Sequence, residues 1–129
     1  MKVAVVGSRN FNDKELIYSV LDNLKRYYKA FEKYDLIISG GAVGTDNLAE
    51  GYANENKIKT QIFIPDYIKH LQGAPIRRNL LIVKEAELIV LFWDGKSKGS
   101  KNVLTTANKL NKPVIQVDIG TGAVTIPSH

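Results

Sequence analysis

Apolar runs and helical periods alternate along the chain and predict a repeating order of strand and helix. Five short runs that are apolar almost throughout predict buried strands, at 2–6, 36–38, 60–64, 87–93 and 114–117. Between them, apolar residues recur at helical spacing and predict helices over 12–31, 45–56, 75–83 and 103–110. Strands of this kind that alternate with helices predict a mostly parallel sheet covered on both faces. We therefore expect one doubly wound α/β domain over residues 1–129, with about five strands.

Local signals place some of the element ends. Asn12, with Glu15 three residues later, resembles a capping box and predicts the start of the first helix. Pro75 suits the first turn of a later helix, whose apolar positions are Ile76, Leu80, Leu81 and Val83. Residues 119–129 show no helical period, so we expect a flexible tail or an edge strand there.

The composition is that of an ordinary globular protein, with 44% hydrophobic and 24% charged residues. No apolar run approaches the roughly 20 residues that a membrane-spanning helix needs, and the N-terminus has no secretory pattern. The lack of cysteine excludes disulfides and thiolate metal sites. We therefore expect a cytoplasmic protein without a membrane partner.

The charge balance is basic, because 18 Lys and Arg residues against 13 Asp and Glu residues give a formal net charge of +5. This balance suits a phosphorylated ligand or a nucleic acid, and it is equally typical of a solvated, lysine-rich surface. His70 and His129 have no metal-ligand spacing and the acidic residues form no cluster, so we predict no protein-bound metal. No cofactor is predicted, apart from the open alternative of a Mg²⁺ ion that accompanies ligand phosphate.

Small and polar residues follow four predicted strands, at the edge where open α/β sheets bind their ligands. The most informative segment is the glycine-rich turn at 39–46, because glycines admit a ligand close to the backbone and the next helix start attracts an anion. The candidate ligand-binding residues are Gly7, Ser8, Arg9, Ser39, Gly40, Gly41, Ala42, Gly44, Thr45, Asp46, Arg77, Arg78, Asn79, Trp93, Asp94, Ser97, Gly99 and Ser100.

Together these residues predict a composite pocket for a phosphorylated nucleoside. The glycines at 40–44 would present N–H groups to phosphate, and Arg9 and Arg78 would neutralise its charge through bidentate hydrogen bonds. The small residues at 97–100 predict a second loop for an anion, ahead of the last helix. Trp93 either flanks the base or ribose or belongs to the core.

The motifs also resemble a known superfamily. The segments are GSR at 7–9, SGGAVGTDNLAEGYA at 39–53, RRN at 77–79, AELIVLFWDGKSKGS at 86–100 and TTANKLNKPV at 105–114. In content and order they are similar to the SLOG superfamily, and most of all to its YspA-like, cpYpsA-related branch. The resemblance implies a Rossmann-like fold, the binding of a nucleotide or nucleotide-derived signal, and a homo-oligomer. The helix face that carries Leu24, Tyr28 and Phe31 would then pack either on a partner or in the core.

Two relatives within that superfamily imply competing functions. Similarity to DprA implies single-stranded DNA binding, although the basic excess of this chain is modest.

Similarity to the LOG phosphoribohydrolases implies release of a base from a nucleoside monophosphate. Their PGGxGTxxE pattern carries a glutamate that stabilises the oxocarbenium charge, and laying Gly99 and Ser100 on its Gly-Thr puts Val103 at the glutamate position. A valine can neither transfer a proton nor stabilise a charge. The phosphoribohydrolase interpretation therefore needs Asp46 or Asp94 as a substitute.

The leading prediction is a non-catalytic protein that senses or sequesters a nucleotide or nucleotide-derived ligand. An N-glycoside hydrolase and a protein that binds single-stranded DNA are the two alternatives.

Overall fold

The strands form one six-stranded sheet in a computed structural model that describes residues 1–41, 43–66 and 73–127. The strand order is β3-β2-β1-β4-β5-β6, and the strands are β1 Lys2–Gly7, β2 Leu36–Ser39, β3 Thr60–Ile62, β4 Leu88–Trp93, β5 Val114–Asp118 and β6 Val124–Thr125. Strands β1 to β5 pair in parallel, and β6 pairs antiparallel with β5. This arrangement confirms the predicted doubly wound α/β class. The sixth strand lies in the segment expected to be a tail or an edge strand.

The helices cover the sheet on both faces. They are α1 Lys14–Asp22, α2 Leu24–Tyr27, α3 Thr45–Glu55, α4 Ala74–Glu85 and α5 Lys98–Lys109. Successive strand residues point to opposite faces, so in β1 Val3 and Val5 pack toward α1 and α3, whereas Ala4 and Val6 pack toward α4 and α5. Burial on both faces explains why the central strands are apolar almost throughout.

The first helical segment differs from its prediction at both ends. Asp13, not Asn12, is the N-cap of α1, because the Asp13 Oδ1 accepts a hydrogen bond from the N–H of Leu16 at 3.1 Å. The single helix expected over 12–31 ends at Asn23 and resumes as the short α2. The Asn23 side chain donates to a carbonyl one turn earlier at 2.6 Å, which is a local alternative to continuing the helix.

The apolar face of Leu24, Tyr28 and Phe31 belongs to the core. Leu24 and Phe31 are buried, and Tyr28 packs against the same cluster. Of the two interpretations left open for this face, the structure therefore favours burial within the chain.

Three further element bounds were only partly predicted. Strand β3 ends at Ile62 and leaves Ile64 exposed. Helix α4 has its proline in the first turn as predicted. Its buried residues are Ala74, Asn79, Ile82 and Val83. The prediction that Ile76 and Leu81 belong to the buried face is wrong, because both side chains are exposed. Helix α5 already begins at Lys98, so the small residues at 97–100 form a helix start and not a loop.

Replacing Phe92 by alanine should lower the free energy of unfolding by about 3–5 kcal/mol, because it opens a cavity in the core. Phe92 is fully buried in the central strand β4 and stacks on Phe11, with ring centroids 5.9 Å apart. Urea unfolding measures the change. Leu110→Ala is the control and should cost less than about 1 kcal/mol, because this side chain is 39% exposed. Equal losses in the two variants would contradict the packing described here.

Candidate ligand-binding site

A cavity of about 470 Å³ opens at the carboxyl edge of the sheet, next to the point where the strand order reverses between β1 and β4. Ligands of open α/β sheets bind at this kind of position. The loops that follow β1, β2 and β4 line the cavity, together with the first turns of α4 and α5. The fold therefore brings residues from distant parts of the sequence to one site.

Most of the residues predicted from sequence meet at this cavity. Those that line it are Gly7, Ser8, Arg9, Gly40, Asp46, Arg78, Asn79, Asp94, Ser97, Gly99 and Ser100. Those that do not line it are Ser39, Gly41, Gly44, Thr45, Arg77 and Trp93. Ala42 lies outside the described residues, as do His70 and His129.

The glycine-rich turn after β2 is bonded within itself. The N–H of Gly40 donates to the buried carboxylate of Asp46 at 3.2 Å, and the N–H of Gly41 donates to the Ser39 hydroxyl at 3.3 Å. Ser39 in turn donates to Glu50 at 2.6 Å. These two glycine N–H groups, which were predicted to bind phosphate, are therefore already used by the protein.

The start of α3 fixes the loop that follows β1. The buried hydroxyl of Thr45 donates to the Ser8 carbonyl at 3.1 Å. Gly44 has a φ of +79°, and a side chain added there would collide with the carbonyl of Arg9. Both residues thus lie behind the cavity wall, where they hold Ser8 and Arg9 in place.

Arg78 and Asn79 form a connected floor between the loops. Arg78 Nη1 donates to the Gly40 carbonyl at 2.8 Å, and its Nε donates to Asn79 Oδ1 at 2.9 Å. Because a guanidinium only donates, the amide oxygen of Asn79 must face Arg78. The Asn79 nitrogen then donates to Asn102 on α5 at 3.2 Å. Arg78 therefore positions the loop after β2 and the Asn79 side chain, in addition to lining the cavity.

The start of α5 presents a helix N-terminus to the cavity. Ser97 is the N-cap and makes no side-chain capping bond, and the first turn contains no acidic residue. A side chain added at Gly99 would meet nothing within 4 Å, so the space over this turn is open. The first N–H groups of a helix have no partner within it. This terminus therefore suits an anion.

Asp94 holds the loop in front of that helix. Its Oδ1 accepts hydrogen bonds from the N–H groups of Lys96 and Ser97, both at 2.8 Å. These two backbone donors hold the pKa of the Asp94 carboxyl below its usual value. The group is therefore ionised at neutral pH and can accept further hydrogen bonds.

The Ser8 hydroxyl is the buried polar group that most directly indicates a bound ligand. It is only 9% exposed and lines the cavity, yet among the described residues its Oγ has no hydrogen-bond partner. Burial of a hydroxyl without a hydrogen-bond partner destabilises the folded protein, and such groups are rare in native structures. Arg9, the next residue, is exposed at the same cavity, and none of the described acidic groups forms an ion pair with it.

Trp93 and Arg77 are placed away from the cavity. The Trp93 indole donates to the Ser97 carbonyl at 3.1 Å, and its ring borders a separate hollow beside β5 together with Gln116 and Asp118. Arg77 is exposed on α4. Of the two interpretations left open for Trp93, contact with a ligand in this cavity is therefore not supported.

Sequence reasoning also missed part of the cavity wall. The residues it did not name as ligand contacts are Val6, Asn10, Phe11, Pro75, Ile82, Val103 and Ile119. Most are apolar and belong to the same periodic patterns as the core, so no local signal separates them from it. Asn10 was detectable, since it directly follows the Gly7–Arg9 motif.

The profile of the YspA, cpYpsA-related SLOG family (YAcAr) matches residues 1–70. The chain belongs to this family. The resemblance predicted from its motifs is therefore confirmed. A comparison with curated proteins finds no significant match.

Solved structures share the fold of this SLOG domain. DprA from Streptococcus pneumoniae is 22% identical with a TM-score of 0.70, over 90% of this chain and 50% of that chain. DprA from Helicobacter pylori, which binds single-stranded DNA, is 22% identical with a TM-score of 0.68, over 91% of this chain and 65% of that chain. TM1055, a structural genomics target, is 19% identical with a TM-score of 0.62, over 88% and 71%. The chain thus spans about half the length of one DprA and 65% of the other.

None of the described helices is long and apolar enough to cross a membrane. Within 1–41, 43–66 and 73–127, no group of three or more His, Cys, Asp or Glu side chains could hold a metal ion.

The Gly44→Ala substitution should lower the free energy of unfolding by roughly 3 kcal/mol or more, because it adds a collision with the Arg9 carbonyl to the cost of a positive φ. Gly95→Ala is a matched control, since Gly95 also has a positive φ, of +82°, but open space around it. It should cost about 1 kcal/mol. Chemical denaturation measures both. Equal costs would show that α3 does not press against the loop after β1.

Proposed function

We propose that this domain binds a phosphorylated nucleotide or nucleotide-derived signal in the cavity at the carboxyl edge, with a phosphate at the N-terminus of α5. The observation that carries the proposal is Ser8, whose buried Oγ has no partner and lines the same cavity as that terminus. A phosphate oxygen accepts hydrogen bonds from both a hydroxyl and backbone N–H groups.

The groups around the phosphate have complementary charge. Arg9 supplies a cation without an acidic partner among the described residues, and Lys98 stands exposed in the first turn of α5. The open space over Gly99 lets an anion approach the backbone. Arg78 has a different part in this proposal, because its bonds to Gly40 and Asn79 keep the cavity floor in shape.

The remaining lining suits a nucleoside. Phe11, Val103 and Ile119 provide apolar surface for a base, and the ionised Asp94 can accept hydrogen bonds from ribose hydroxyls. The cavity volume of about 470 Å³ lies in the range of small-molecule sites, roughly 300 to 1,000 Å³. The mixture of a few polar groups with apolar walls is also typical of such sites.

The lining supports binding in preference to hydrolysis. Val103 is buried and lines the cavity, so the position at which a LOG-type enzyme would carry its glutamate holds an alkyl group instead. Asp94, whose pKa two N–H donors keep low, cannot protonate a leaving base at neutral pH, so in a hydrolase it could act only by stabilising positive charge. Asp46, the other substitute considered, accepts from the Gly40 N–H.

Replacing Ser8 by alanine should weaken ligand binding roughly tenfold or more, because a hydrogen bond to a charged group is lost. The free energy of unfolding should stay unchanged or rise slightly, since the unliganded protein loses only an unpartnered buried hydroxyl. Ser19→Ala, at an exposed position of α1, is the control and should alter neither property.

The ligand for this comparison is found in two steps. Small molecules released from the purified protein are identified by mass spectrometry, and isothermal titration then measures nucleoside mono-, di- and triphosphates, cyclic nucleotides and a 5′-phosphorylated single-stranded oligonucleotide. No binding across this panel, or equal affinity in wild type and Ser8→Ala, would contradict the proposal. Release of free base or ribose phosphate from any nucleotide would instead support the hydrolase alternative.

Replacing Arg9 by glutamine should raise the dissociation constant of the same ligand about tenfold or more, because a charged phosphate contact is removed. Arg26→Gln, which removes an exposed positive charge from α2, is the matched control. The two variants have the same net charge, so calorimetric titration separates a local contact from a general field effect. Equal weakening would place Arg9 outside the site.

A further inference from the structure

Positive charge is concentrated on one of the two helix layers. Helices α4 and α5 carry six basic residues: Arg77, Arg78, Lys84, Lys98, Lys101 and Lys109. The acidic residue in these two helices is Glu85, and it pairs with Lys2 at 2.7 Å. The layer on the other side of the sheet is more acidic, since α1, α2 and α3 together carry five acidic and three basic residues.

The basic side chains point away from the sheet. On α5 the buried stripe is Ser100, Val103 and Ala107, whereas Lys98, Lys101 and Lys109 are exposed. At 100° per residue these lysines lie on the opposite side of the helix. On α4, Arg77 and Lys84 lie two turns apart and are likewise exposed. We call these five residues the basic face.

The residues of the basic face lie along two packed helices. Helix α5 rises about 16 Å between Lys98 and Lys109, and α4 packs beside it. Lys112, just beyond α5, is not part of the patch, because its Nζ donates to the carbonyls of Ala86 and Lys84 at 2.8 and 3.3 Å. None of the five residues of the face forms an ion pair with an acidic group of the described chain.

Helix α3 of a second copy offers little complementary charge, because its acidic groups are already engaged. Asp46 is buried and accepts from Gly40, Glu50 accepts from Ser39, and Glu55 pairs with Lys14 at 3.6 Å. A polyanion therefore matches the five cations of the face better than a second copy, whose other exposed acidic residues, such as Glu15 and Glu87, lie in different parts of the chain.

We propose that the basic face binds the phosphate backbone of a nucleic acid without reading its base sequence. Repeated cations along one surface match the repeated charges of a phosphate backbone. Helices α4 and α5 contain no aromatic residue, so the face has no platform for stacking bases. The outward side of α5 has no large apolar side chain and α4 exposes two, Ile76 and Leu81, which is less than the broad apolar face of a helix that inserts into a membrane surface. We therefore expect binding to duplex DNA, with single strands binding no more tightly.

The test compares two double variants that remove the same charge. Lys101→Gln with Lys109→Gln changes the basic face and leaves Lys98 at the α5 N-terminus untouched. Arg26→Gln with Lys29→Gln removes two exposed positive charges elsewhere in the chain. Fluorescence anisotropy with a labelled duplex of about 20 base pairs is measured between roughly 50 and 200 mM salt.

For wild type, five phosphate contacts should give a slope of log affinity against log salt of about −4 to −5. The basic-face variant should bind more weakly, with a slope smaller by about 2, whereas the control variant should match wild type. Equal losses in both variants, a salt-independent affinity, or tighter binding of a single strand of equal length would overturn the proposal. So would binding only to phosphatidylserine vesicles or to polyglutamate.

The result for duplex binding by the basic face can be distinguished from the result for nucleotide binding in the cavity. All substituted positions are exposed, so the thermal unfolding midpoint should be unchanged in both double variants. The nucleotide that binds the cavity should retain its affinity in the basic-face variant. Loss of duplex binding with intact nucleotide binding supports the basic face alone, and loss of nucleotide binding in Ser8→Ala tests the cavity alone.

Discussion

The arrangement of the site depends on the contact between the start of α3 and the loop after β1. Gly44 approaches the Arg9 carbonyl so closely that only hydrogen fits there, and the Thr45 hydroxyl bonds to the Ser8 carbonyl. The contact places the Ser8 hydroxyl and the Arg9 guanidinium at the cavity and gives their loop a fixed backbone. The positions of both side chains therefore follow from packing between two segments that are more than thirty residues apart.

A chain of hydrogen bonds continues from this contact across the cavity floor. It runs from Asp46 through Gly40, Arg78 and Asn79 to Asn102, and so joins α3, the loop after β2, α4 and α5. Because each donor in the chain is matched to an acceptor, the glycine-rich turn is a structural support. The open N-terminus of α5 is left as the place for an anion, which is why our proposed phosphate position differs from the one predicted by sequence.

Charge separates the two layers of this SLOG domain. The acidic groups of α3 are satisfied within the chain, whereas the basic residues on the outer side of α4 and α5 have no acidic partners among the described residues. The two proposals use different parts of this distribution. A small phosphorylated ligand fits the enclosed edge with its unpartnered hydroxyl, and a long polyanion fits the open helical surface.

The sequence by itself determined the order of the main elements, the parallel sheet, the family and the edge at which the cavity lies, because hydrophobic periodicity and glycine-containing turns are local properties. Of the residues that the sequence analysis named, Ser8, Arg9, Asp94, Ser97, Gly99 and Ser100 line the cavity, and their contact with a ligand stays a prediction. Tertiary structure alone decided which polar groups remain available. The N–H groups at Gly40 and Gly41 are consumed by partners that no spacing rule identifies, and Val103 and Phe11 share their pattern with the core. Hydrogen-bond satisfaction is a property of groups brought together by folding, and it cannot be read from one segment at a time.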